Sequence, residues 1–106
     1  MRILLDNCTP YPLGRHLTSH EVKHCAELGW ARLTNGLLLA AAEQDGFELM
    51  ITCDQSLGYQ QNLQDRKIAI LVLGIQHWPK LKLFTDQVAE AVSSMQPGEY
   101  REMLMQ

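Results

Sequence analysis

The sequence predicts an α/β domain in three layers, with a central, mainly parallel sheet of four to five strands. Three observations lead there. Residues 68–73 form an unbroken apolar run, IAILVL; apolarity that continues rather than alternates marks a strand buried on both faces, as in parallel sheets. Two more short runs, residues 3–5 and 49–53, have the bias of buried strands, and each is followed directly by an aspartate, Asp6 and Asp54. Segments with helical spacing separate the runs, and they are long enough to return the chain for parallel pairing.

Taken in order, residues 2–6 read as the first strand. Thr9 and Pro10 then signal a helix start, Thr9 as cap and Pro10 in the first helical position, with Leu13 and Leu17 on one face. Residues 21–25 resemble a second strand, with Val22 and Cys25 as its apolar positions. Residues 26–33 read as a turn of helix and a loop. Residues 37–44, rich in Leu and Ala, are the clearest helix; Thr34 or Asn35 can cap it and Gly46 can end it in the left-handed conformation. Residues 47–53 give the third strand and 54–64 a polar loop holding a helical turn. Residues 67–73 give the fourth strand. Pro79 stands near the start of a last long helix whose apolar side is Leu83, Val88, Ala91, Val92 and Met95. Pro97-Gly98 breaks it, and residues 99–105 are expected as a terminal edge strand.

All 106 residues read as one domain, without repeats, low-complexity tract or linker. The hydrophobic fraction of 46% and charged fraction of 20% are those of an ordinary soluble protein. A net charge of −3 argues against a general nucleic-acid coat, which needs many cationic phosphate contacts. No apolar stretch approaches the ~20 residues of a membrane span, and the first residues do not read as a signal peptide. Cys8, Cys25 and Cys53 are odd in number and lack C-x-x-C spacing, which leads us to expect a reduced, cytoplasmic protein.

If their strands are parallel neighbours, Asp6 and Asp54 meet at the carboxyl edge of the sheet, where open α/β folds bind ligands. Two carboxylates brought together there need a cation or a shared proton. A divalent metal meets that need, and phosphodiester cleavage is a chemistry that uses one. The bland readings are helix capping for both aspartates and for Asn35, and a solvated position for Glu27. Cys8, Cys25 and Cys53 fall near strand ends, but without close ligand pairs they give little support to a zinc or thiol site. In the loop at 55–62, Gln55, Gln60, Gln61 and Asn62 could donate to phosphates or bases, and Tyr59 could stack on an unpaired base. Asn7 extends this set of amides. Arg32, Arg66 and Lys67 are candidates for a basic rim.

The stretches ILLDN at 3–7, HEV at 20–22, ELGW at 27–30, NGLL at 35–38 and ITCDQSL at 51–57 occur in an order and spacing that resembles the small PIN-like proteins of bacteria. YQQN at 59–62 and Trp78-Pro79 fit one branch of that family. The PIN-like family is related to the toxin ribonucleases of toxin–antitoxin pairs. The resemblance implies a PIN-like fold and a metal-dependent endoribonuclease that cuts single-stranded RNA with Mg²⁺ or Mn²⁺. It places Asp6 and Asp54 as catalytic and metal-binding acids. It also puts Asn35 where PIN nucleases usually carry an Asp, and Ser56 where many carry a further acid. Glu27 could supply a third carboxylate. Asn7, Gln55, Tyr59, Gln61 and Arg32 would contact the substrate. A cognate antitoxin and a homodimer are the implied partners. The missing acids leave a second expectation open: a PIN-like module, catalytically weak or inactive, that binds a partner protein or RNA.

Overall fold

The computed structural model describes residues 1–55 and 66–103. Ser56, Tyr59, Gln60, Gln61 and Asn62 lie outside the described residues. Five strands, β1 (Arg2–Leu5), β2 (Glu21–His24), β3 (Leu49–Thr52), β4 (Ala69–Leu73) and β5 (Tyr100–Met103), form one sheet in the order β2-β1-β3-β4-β5. Every neighbouring pair is parallel. Among the described residues the α-helices are α1 (Asn35–Gln44), α2 (Trp78–Leu81) and α3 (Thr85–Ser94). The expected α/β class is therefore what the chain adopts, with a sheet that is wholly parallel.

Alternating residues divide the core between the two faces of the sheet. Ile3, Leu5, Leu49, Ile51, Leu71 and Leu73 pack on one side with Leu13, Leu17, Val88 and Val92. Leu4, Met50, Ile70 and Val72 pack on the other with Leu38, Leu39 and Ala42 of α1. All residues of β3 and β4 are buried, as the unbroken apolar runs require. Three layers result, with α3 and α1 on opposite faces.

Some local features depart from expectation. The first helix is a 3₁₀ segment, Tyr11–His16, rather than an α-helix. It is short and contains Pro12, which removes a further backbone donor. Thr9 does not cap it; the Thr9 hydroxyl donates instead to the Ile51 carbonyl at 2.9 Å, tying this segment to β3. The last helical stretch is broken by a 3₁₀ turn, Lys82–Phe84, between α2 and α3. That turn changes the angular step per residue, so Leu83 leaves the apolar face and is 71% exposed. Val88, Ala91, Val92 and Met95 are buried as expected. Thr34 occupies the cap position of α1 without a side-chain bond, and Gly46 follows that helix with φ +84.

The strand order places the site. From β1 the chain steps outward to β2, then returns across β1 to build β3, β4 and β5 on its other side. Such a reversal leaves a crevice between the carboxyl ends of the two central strands, here β1 and β3.

Candidate functional site

Asp6 and Asp54 follow β1 and β3 at that crevice. The Asp6 N–H donates to the Ile51 carbonyl at 2.9 Å, continuing the β1–β3 ladder one residue past the strand. The Thr9 N–H then closes a turn onto the Asp6 carbonyl at 2.9 Å. This backbone holds the Asp6 side chain at the edge while leaving it only 7% exposed. Its Oδ1 accepts from the Asn7 N–H at 2.6 Å and its Oδ2 from the Thr52 hydroxyl at 2.7 Å.

Thr52 links the two acids. Fully buried at the end of β3, its hydroxyl oxygen also accepts the Asp54 N–H at 3.0 Å. One side chain therefore orients the Asp6 carboxylate and fixes the turn that carries Asp54. Neither this bridging role nor the place of Gln76 in the cleft wall could be inferred from local sequence alone, because both depend on which strands are neighbours.

Asp6, Asn7, Cys8, Cys53, Asp54, Gln55 and Gln76 line an open cleft of about 550 Å³. It continues into a groove of about 660 Å³ reaching His77, Trp78 and Pro79. No lysine or arginine is among the described lining residues. A smaller, mainly apolar pocket of about 210 Å³ lies at the other end of the sheet, where Leu49 and Ala69 begin β3 and β4. The carboxyl-edge cleft is the better candidate because it holds the converging polar groups.

Two thiols flank the acids. The Cys8 sulfur accepts the Cys53 N–H at 3.3 Å and approaches the Thr52 hydroxyl at 3.4 Å and Asp6 Oδ2 at 3.6 Å. A hydrogen bond from the Cys53 side chain lowers the Cys8 pKa to about 6, against burial and the charge of Asp6, which oppose it. Donation from Thr52 contributes less to this than its proximity suggests, since its single hydroxyl proton already serves Asp6 at 2.7 Å. The Cys53 pKa is raised by the same pairing and by burial.

Glu27 stands elsewhere. It belongs to the 3₁₀ segment Cys25–Leu28, where its carboxylate accepts the His24 N–H at 3.2 Å. A hydrogen bond from Tyr11 and that N–H hold it below the usual carboxylate range. It lines a separate pocket with Tyr11, Arg15 and His24. Arg32 is exposed on the loop leading to α1, and Asn35 is the first residue of α1. Asn7 and Gln55 do line the cleft with the aspartates.

The donors of the cleft suit a hard cation in part. Two carboxylates and the amide oxygens available from Asn7, Gln55 and Gln76 are oxygen ligands, and Mg²⁺ is often held by one or two carboxylates and waters. Asp6 is buried with neutral hydrogen-bond donors and takes part in none of the ion pairs found among the described residues. Among those residues, no group of three or more His, Cys, Asp or Glu is arranged to hold a metal. The chain matches no protein-family model, no curated protein and no solved structure. Among the described residues, no helix is long and apolar enough to cross a membrane.

Proposed function

We propose that this protein is a PIN-like, divalent-metal-dependent endoribonuclease acting on single-stranded RNA, as the toxin-like component of a toxin–antitoxin pair in the cytoplasm. The observation that carries the reading is the convergence of Asp6 and Asp54 on one open cleft, joined through Thr52. In this reading Asp6 and Asp54 hold Mg²⁺ or Mn²⁺, with Asn35 as the further ligand implied by the family resemblance; Glu27, in its separate pocket, is not part of the shell. A bound ion of this kind supplies a water of lowered pKa and stabilises charge on the phosphate. Thr52 keeps the Asp6 carboxylate aimed at the cleft. Asn7, Gln55 and Gln76 present amides that can donate to phosphate oxygens, and the open shape admits an extended strand. The antitoxin and a second copy of the chain are the proposed protein partners.

A second reading is favoured by one observation: the Asp6 oxygens already accept from Asn7 and Thr52, so the acid is satisfied without an ion. On that reading the domain binds RNA or a partner protein without cutting. Cleavage of an end-labelled, mixed-sequence single-stranded RNA with Mn²⁺ separates the two. Cutting by the wild type but not by Asp6→Asn or Asp54→Asn supports the nuclease. A folded wild type that binds RNA without cutting it supports the binding module.

A further inference from the structure

We propose that Cys8 and Cys53 are a peroxide-oxidised pair that forms a reversible disulfide across the mouth of the carboxyl-edge cleft. All three cysteines are free, but they divide into two kinds. Cys25 is fully buried in the core beside α1. Cys8 and Cys53 are half-buried and both line the cleft, where a small oxidant can reach them.

The fold places these two sulfurs together. β1 and β3 are parallel neighbours with Leu5 opposite Ile51, and the Asp6 N–H to Ile51 bond keeps the chains paired just beyond them. The Cys8 sulfur already lies 3.3 Å from the Cys53 backbone nitrogen, whose N–H it accepts. The Cys53 thiol now donates to the Ile75 carbonyl at 3.5 Å. Bonding to Cys8 exchanges that weak contact for a covalent one.

The chemistry balances with one peroxide per pair. The Cys8 sulfur attacks a peroxide oxygen and breaks the O–O bond, and the departing oxygen takes the thiol proton and leaves as water. The Cys53 sulfur then attacks the resulting Cys8 sulfenic acid; the S–O bond breaks, the S–S bond forms and a second water leaves with the Cys53 proton. Two electrons pass from the sulfurs to the peroxide. The product withdraws the Cys8 sulfur from Thr52 and Asp6, so oxidation alters the surroundings of the acid whatever reaction the cleft performs.

The test reads the sulfurs rather than activity, so it stands apart from the nuclease reading. The reduced, folded chain is treated with hydrogen peroxide, quenched, unfolded and labelled with a maleimide, and its peptides are mapped without reductant. The thiol titre should fall from three to one, with the remaining label on Cys25. Peptides carrying Cys8 and Cys53 should be linked within one chain, and dithiothreitol should restore all three thiols. Cys8→Ser or Cys53→Ser should lose the link, and oxidation in denaturant should lose the preference for this pair. An unchanged titre, Cys8 oxidised only to sulfinic acid, a link between chains or a link through Cys25 would each overturn the proposal. The wild-type map decides even where a serine variant fails to fold.

Discussion

The two ends of the sheet handle buried and half-buried charge in opposite ways. At the amino end, Arg2 of β1 donates to Glu21 of β2 and to Asp45 beyond α1, and its guanidinium lies 4.2 Å over the Phe47 ring. Opposite charges meet there. At the carboxyl end, Asp6 is more deeply buried than Arg2 yet is held by a backbone N–H and a hydroxyl, with no cation among its partners in the described residues. Burying a carboxylate without a counter-charge is costly, and neutral donors recover only part of that cost. On the proposed reading, the second end is where a cationic ligand would bind.

The largest effect should come from removing that acid. Asp6→Asn keeps the size and one acceptor oxygen but removes the charge, and Asp54→Asn does the same on the facing turn. Changes to groups that merely orient metal ligands cost about 10–100-fold; loss of either ligand should exceed this and bring RNA cleavage below detection. Circular dichroism should show both variants folded. Retained cleavage in both would remove the metal mechanism and with it the contrast between the two ends.

Thr52→Val should come next, and it sharpens the comparison because it leaves both acids in place. Valine preserves the buried shape but removes the donor to Asp6 and the acceptor for the Asp54 N–H. Leaving such groups unsatisfied costs about 1–3 kcal/mol, measurable by urea unfolding. Cleavage should fall about 10–100-fold, as for an orienting partner. Thr52→Ser should restore both, since it returns the hydroxyl. A valine variant as active as the wild type would mean that the link through Thr52 does not position the acids.

Much of this arrangement can be read from local sequence. The apolar runs around Ile51 and Leu71 define β3 and β4, and the aspartates that follow β1 and β3 mark the edge where the cleft opens. Local pattern fails where a residue's partner is distant in sequence. Thr9 has the chemistry of a helix cap, but a β3 carbonyl claims its hydroxyl. Leu83 fits the apolar stripe of α3 until the preceding 3₁₀ turn shifts its phase. Glu27 looks available, yet His24 and Tyr11 engage it. The pairing of Cys8 with Cys53 likewise requires knowing that β1 and β3 are neighbours.

At the amino end, Gly46→Ala should destabilise without touching cleavage. Gly46 has φ +84, where a Cβ costs about 1–2 kcal/mol for an L-residue. Space is not the obstacle, because the added carbon would come no nearer than 3.5 Å to the Arg2 guanidinium. Urea unfolding should report the loss, while cleavage well below the transition stays at the wild-type level. A matching loss of cleavage would show that the two ends are coupled through the sheet.

The smallest effect should follow Arg2→Met, which keeps an apolar stem against Phe47 while removing both ion pairs. Those pairs are exposed, so salt already screens them and each holds little stability. The variant should therefore melt slightly below the wild type at low salt, and the gap should narrow as salt rises. Cleavage should be unchanged at every salt concentration once normalised to wild type. The contrast with Asp6→Asn is then one of roles rather than of charge. Removing a charge that has partners costs a little stability and no chemistry, whereas removing the one without a charged partner costs the chemistry. A strong loss of cleavage in Arg2→Met would reverse that assignment and make the amino edge part of the working site.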